Sequence, residues 1–112
     1  MSPERRAHPR VELFAQVQVT RESEVHILEM ANISRGGAFL QAEPREMPEI
    51  QVGVDLELLI FCADDIGQDV ACRAKVVRVV DQSHAPRRGF GVAFTAVDPQ
   101  NMARLERFLP GL

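Results

Sequence analysis

Three arginines fall within one short stretch, Arg5-Arg6-Ala7-His8-Pro9-Arg10, and 21 residues later (11–31 intervening) the chain reads Asn32-Ile33-Ser34-Arg35-Gly36-Gly37. The first segment offers planar guanidiniums, which fork onto phosphate oxygens or onto guanine O6 and N7, each bidentate pair worth about 1–3 kcal/mol of discrimination. Pro9 stiffens it and disfavours helix at His8, so an extended arm is expected. The second segment offers an amide and a hydroxyl, short groups that reach a base edge or a phosphate. Its glycines permit positive φ and a close backbone approach. Together the two segments suit a rigid, anionic ligand rich in hydrogen-bond acceptors. Taken singly, the first also fits a solvated charged terminus and the second an ordinary β-turn.

Bond-making chemistry finds no comparable pattern. His8, His26 and His84 have no serine or cysteine arranged as a partner, and neither an HExxH sequence nor a phosphate-binding P-loop occurs. Cys62 and Cys72 are the only cysteines. They lie in apolar stretches and read as a reduced, buried pair, and their spacing without companion histidines matches no zinc pattern. No catalytic residue, metal or cofactor is expected.

Composition and charge narrow the classes further. The 112 residues are 46% hydrophobic and 26% charged, enough for one globular domain with its own core. No apolar run is long enough to span a bilayer, and no apolar segment follows Met1-Ser2-Pro3-Glu4-Arg5, so a cytoplasmic protein without membrane insertion is expected. Net charge is −3, against general binding of DNA or RNA. Residues 43–69 hold eight acids against Arg45, while positive charge gathers in residues 5–10, at Arg35 and at Arg87-Arg88. A barrel binding single strands would want basic grooves with interleaved aromatics. Here there are six Phe, mostly at inward phase, and no Trp or Tyr.

The elements that must position the two segments are short strands. Residues 11–20 alternate, with Leu13, Ala15, Val17 and Val19 inward. Val25 to Ala31 alternates less cleanly, and a third strand covers 36–41. Residues 42–53, with Pro44, Pro48 and Gly53 among acids, read as a surface loop. Strand pattern resumes over 54–61, and Ala63-Asp64-Asp65-Ile66-Gly67 reads as a hairpin turn. Val70, Cys72, Ala74 and Val76 then face inward, and the doubled Val76-Val77 predicts a slip of phase at a bulge. A turn over 81–88 leads to a last strand marked by Phe90, Val92 and Phe94. Beyond it, Asp98 as N-cap, Pro99 at N1 and the spacing of Met102, Leu105, Phe108 and Leu109 predict a helix stopped by Pro110-Gly111. The expected fold is all-β with a C-terminal helix: a six-stranded antiparallel β-barrel whose helix covers one side or mouth.

With these residues in order around one strand pattern, the chain resembles the PilZ domain, a bacterial receptor module for cyclic di-GMP. The family's RxxxR falls on Arg6 to Arg10 and its (D/N)xSxxG on Asn32 to Gly37, while Gly89-Phe90-Gly91-Val92-Ala93-Phe94 and the following helix match its closing pattern. The resemblance implies a split barrel over 11–97, a flexible ligand-binding arm over 1–10 and a helix over 98–109, all one domain. It assigns Arg6 and Arg10 to guanine edges and phosphates, and Asn32 and Ser34 to guanine and phosphate on the barrel side, with Gly37 keeping the turn open. Arg5, immediately before RxxxR, implies an intercalated ligand dimer, and Arg35 completes the positive charge that such a dimer needs. Arg78 stands where some members place a Trp and could stack on guanine, although a solvated, exposed strand arginine is the commoner reading of such a position. The implied function is a non-catalytic second-messenger receptor whose ordered arm signals to an unidentified effector protein, as monomer or homodimer. The alternative on the same fold is a ligand-independent interaction adaptor in motility or polar signalling.

Overall fold

The computed structural model describes residues 11–61 and 69–107, the side chains of 11–14 excepted. Six strands are present, β1 (Val11–Arg21), β2 (Glu24–Ile33), β3 (Gly37–Gln41), β4 (Asp55–Ile60), β5 (Val70–Val80) and β6 (Gly89–Ala96), followed by helix α1 (Pro99–Glu106). They close as an antiparallel barrel in the order β1-β2-β3-β6-β5-β4. Closure is made by β1, which pairs with β2 on one side and, from Val17 to Thr20, with β4 on the other. Among the described residues each strand thus has a neighbouring strand on both sides.

The alternation that marks the strands also builds the core. Val17, Val19, Leu56, Leu58, Ile60, Val70, Ala74 and Val76 are buried together with Phe90 and Val92. On β2 the inward set is Leu28 and Met30, which leaves Val25 and Ile27 outside at 54% and 53% exposure. The pattern then changes phase. Met30 and Ala31 are both fully buried, and the β2–β3 register slips between Met30 and Asn32. Ala31 is thus an extra residue, after which odd positions face in (Ala31, Ile33) and Asn32 faces out. The slip expected at Val76-Val77 is present as well: Val76 pairs with Val92 and Arg78 with Gly91, which leaves Val77 unpaired and exposed.

Two expectations change. Residues 42–53 do not simply lie on the surface: Pro44, Met47 and Ile50 are buried, and Met47 and Ile50 belong to the core cluster. Their spacing of three aims one side of the segment, which includes a 3-10 turn at Pro44–Glu46, into the core. The same segment approaches β2 through Glu49, whose Oε1 lies 4.0 Å from His26 Nε2. Secondly, β2 runs through Ile33, so Asn32 is a strand residue and the turn occupies only Ser34 to Gly36.

Helix α1 begins as expected. Asp98 is the N-cap, its carboxylate accepting from the Asn101 N–H at 2.8 Å, and Pro99 stands at N1. The helix docks on the start of β5, where Asn101 Oδ1 accepts from Ala71 N–H (2.8 Å) and Arg104 donates to the Asp69 carbonyl (3.1 Å). Leu105 is fully buried. The expected turn at 63–67, Cys62, the apolar pair Phe108 and Leu109, the stop at Pro110-Gly111 and the arm over 1–10 lie outside the described residues.

Candidate functional site

Strand register sets the site out as a row. Asn32 of β2 pairs with Phe39 of β3, Phe39 with Gly91 of β6, and Gly91 with Arg78 of β5. Ala38 and Leu40 belong to the core cluster, so alternation puts Phe39 between them on the outer wall. It is nevertheless only 5% exposed. What covers it is Arg78, whose guanidinium carbon sits 5.8 Å from the ring centroid, a cation–π distance. Gly91 makes that crossing possible: a Cβ there would already touch Arg78 at 3.4 Å (Cβ) and 3.6 Å (Nε), and a larger side chain would lift the arginine away.

Asn32, Phe39 and Arg78 then form one wall of a cavity of about 490 Å³, completed by Val80 and by Ala85, Pro86 and Arg87 of the β5–β6 turn. The cavity combines amide, aromatic, aliphatic and guanidinium groups, a mostly apolar lining with a few polar groups that can orient a small molecule. Arg88, next along the turn, has a different task. It pairs with Glu43 at 2.5 Å and Asp81 at 3.4 Å, and its carbonyl accepts from Ala42 N–H at 3.0 Å, which ties the turn to the segment after β3.

The turn from Ser34 to Gly37 is built from its own side chain. Ser34 is 4% exposed. Its N–H donates to the Gly37 carbonyl at 2.8 Å, and its Oγ accepts from Gly36 N–H at 3.2 Å while lying 3.4 Å from the Gly37 carbonyl oxygen. Phe94 N–H donates to the Gly36 carbonyl at 2.9 Å and pins the turn to β6. Among the described glycines, positive φ occurs at Gly53 and Gly89 and not in this turn. Gly37 is required for the close approach instead: a Cβ there would lie 2.1 Å from the Val92 carbonyl oxygen.

Of the residues singled out in the sequence, the structure brings Asn32 and Arg78 together in the lining of one cavity and makes Ser34 and Gly37 the frame of the turn that follows β2. Arg35 is directed elsewhere, in an ion pair with Glu106 of α1. Arg5, Arg6 and Arg10 lie outside the described residues, but the chain enters the barrel beside the second segment: Val11 pairs with Ile33 and Glu12 with Asn32. Phe39, Val80, Ala85, Pro86 and Arg87 were not foreseen as site residues. For Arg87 a signal existed in the Arg87-Arg88 doublet; for Phe39 the general expectation that phenylalanines face inward pointed the wrong way.

The family profile of the PilZ domain matches residues 4–111, nearly the whole sequence. The chain belongs to the PilZ domain family. Solved structures agree on the fold. The inhibitor of motility MotI/DgrA of Bacillus subtilis superposes with a TM-score of 0.75 at 20% identity, over 97% of this chain and 54% of that one. The PilZ domain of YcgR from Escherichia coli, solved with c-di-GMP, gives 0.71 at 18% identity, over 94% of this chain and 88% of that one. The MrkH–c-di-GMP complex of K. pneumonia gives 0.72 at 16% identity, over 96% and 52%. This PilZ chain therefore spans about half the length of the MotI and MrkH chains it matches. A search of the curated proteins found no match. Among the described residues no helix is long and apolar enough to cross a membrane.

Proposed function

We propose that this PilZ domain is a receptor for cyclic di-GMP, binding it between the arginine segment (Arg5, Arg6, Arg10) and the outer row formed by Asn32, Phe39 and Arg78. The observation that carries the reading is the β1–β2 register. Val11 follows Arg10 directly and pairs with Ile33, between Asn32 and Ser34. Residues 5–10 lie outside the described residues, and their attachment to Val11 is what supports assigning their guanidiniums to the same ligand as the cavity. Arginines would take the phosphates and guanine edges, the Asn32 amide a base edge, and the Arg78 guanidinium a base face. Two stacked ligands carry four phosphodiester charges, which matches Arg5, Arg6, Arg10 and Arg35 in number. Ordering of residues 1–10 on the ligand would create a new surface for an effector protein to read.

Calorimetric titration with cyclic di-GMP tests this reading. Saturable binding at micromolar ligand, about −8 kcal/mol, is the expected result, with two ligands per chain if Arg5 supports the stacked pair. Arg6→Ala and Arg10→Ala should each remove most of the affinity while thermal melting stays normal. Absence of binding at tens of micromolar ligand would overturn the receptor reading, and one ligand per chain would overturn the stacked pair.

A second reading has one observation in its favour. Val25 and Ile27 lie side by side on the outer face of β2, more than half exposed, as a docking strand for a protein partner would be. A ligand-independent adaptor would bind that partner equally with and without cyclic di-GMP.

A further inference from the structure

Arg35 belongs to the Asn32–Gly37 segment, yet its guanidinium is ion-paired to the carboxylate of Glu106, the last residue of α1. Both side chains are nearly half exposed, at 44% and 45%. The backbone under Arg35 is fixed, because Ser34 N–H bonds to the Gly37 carbonyl and Phe94 N–H to the Gly36 carbonyl. Helix α1 is held separately along its length by Asn101, Arg104 and Leu105 on the β5 side. Glu106 is the point at which the helix end meets the signature turn.

We propose that Glu106 and a ligand phosphate compete for the Arg35 guanidinium, so that ligand binding releases the C-terminal turn of α1. The inference rests on reading the Asn32–Gly37 segment as a cyclic di-GMP site. Its physics is simple. A half-exposed ion pair contributes little, so a phosphate that brings more charge and an equally good fork displaces the carboxylate readily. Once displaced, Glu106 is a bare negative charge at the C-terminal end of a helix, where the carbonyl dipoles already point negative. Repulsion from the incoming phosphates adds to this. The last turn is then destabilised while Leu105 and the start of the helix stay docked. By linkage the coupling runs both ways: an undocked Glu106 leaves Arg35 open and tightens the ligand.

The test titrates cyclic di-GMP into the full chain and into Glu106→Gln, Arg35→Ala and the double variant, with Glu46→Gln as a control that removes the same charge from the β3–β4 segment. Glu106→Gln should bind about two- to five-fold more tightly, the range that a half-exposed pair supports. Glu46→Gln should bind like the parent. In the Arg35→Ala background the Glu106 substitution should have no effect. Ligand should also accelerate amide hydrogen exchange at Arg104 to Arg107 in the parent chain. If the parent binds but Glu106→Gln binds equally or more weakly, or exchange at the helix end does not change, the competition is refuted while the receptor reading stands. If neither parent nor variants bind, the receptor reading itself fails and the coupling with it.

Discussion

Asn32 and Arg78 reach the same outer wall because each follows an extra residue, Ala31 in β2 and Val77 in β5. Without those bulges, even-numbered positions of both strands would continue inward and put an amide and a guanidinium in the core. Arg78→Ala should therefore leave the fold intact, uncover Phe39 and weaken cyclic di-GMP binding several-fold by calorimetry. Gly91→Leu should act through the same arginine, lifting it off the ring. Gly37→Ala is expected to behave differently. A methyl 2.1 Å from the Val92 carbonyl oxygen forces β3 from β6, and overpacking of this kind costs about 1–3 kcal/mol, seen as a lowered denaturation midpoint before any ligand is added. Cys72 is a residue-scale test of the core. Burial pushes its thiol up to about 12, so at pH 8 it should resist alkylation in the folded chain and react once the chain is unfolded, as mapped by peptide mass. The raised value also fixes a sign. The folded state holds the thiol proton more tightly than the unfolded state, so this contribution is full below the ordinary value of 9.0 and is lost as pH rises toward about 12.

At the scale of elements, the helix is the part most open to separate adjustment. Its start depends on Asp98, whose carboxyl is held below the ordinary value of 3.8 chiefly by the hydrogen bond from the Asn101 backbone N–H. A depressed carboxylate contributes stability above its ordinary value and loses it as pH falls through the lower folded one. Asp98→Asn should keep a cap but flatten that acid dependence, whereas Asp98→Ala should lower the melting temperature at neutral pH. Leu105→Ala should cost about 2–5 kcal/mol, as for other large-to-small changes at fully buried sites, and reveal how far barrel stability depends on the docked helix. The β3–β4 segment makes a complementary point. It carries the composition of a loop, yet Met47 and Ile50 belong to the buried core, so Ile50→Ala is expected to destabilise as a core substitution would.

For the whole molecule, the acidic total of −3 conceals the basic segments to which the proposed site is assigned. Affinity for a polyanionic ligand should fall as salt rises, because the arginines that face it are screened. Ligand at 100 times its dissociation constant should raise stability by about 2.7 kcal/mol, visible as a higher melting temperature. The same experiment on Arg10→Ala should show no such rise. An unchanged melting temperature for the parent at saturating ligand would contradict specific binding to the folded state.

The sequence by itself determined the class of fold, the strand order along the chain, the helix cap at Asp98 and Pro99, the slip at Val76-Val77 and the two segments that define the family. These follow from local rules, namely period-two burial, capping chemistry and residue types at fixed spacing. Only the tertiary structure decided which residues meet. The phase change at Ala31, the row Asn32–Phe39–Gly91–Arg78, the reason for Gly37 and the pairing of Arg35 with Glu106 all depend on register between strands distant in sequence. Register is set by how the closed barrel packs as a whole, and one extra residue in a strand moves every later side chain to the opposite face.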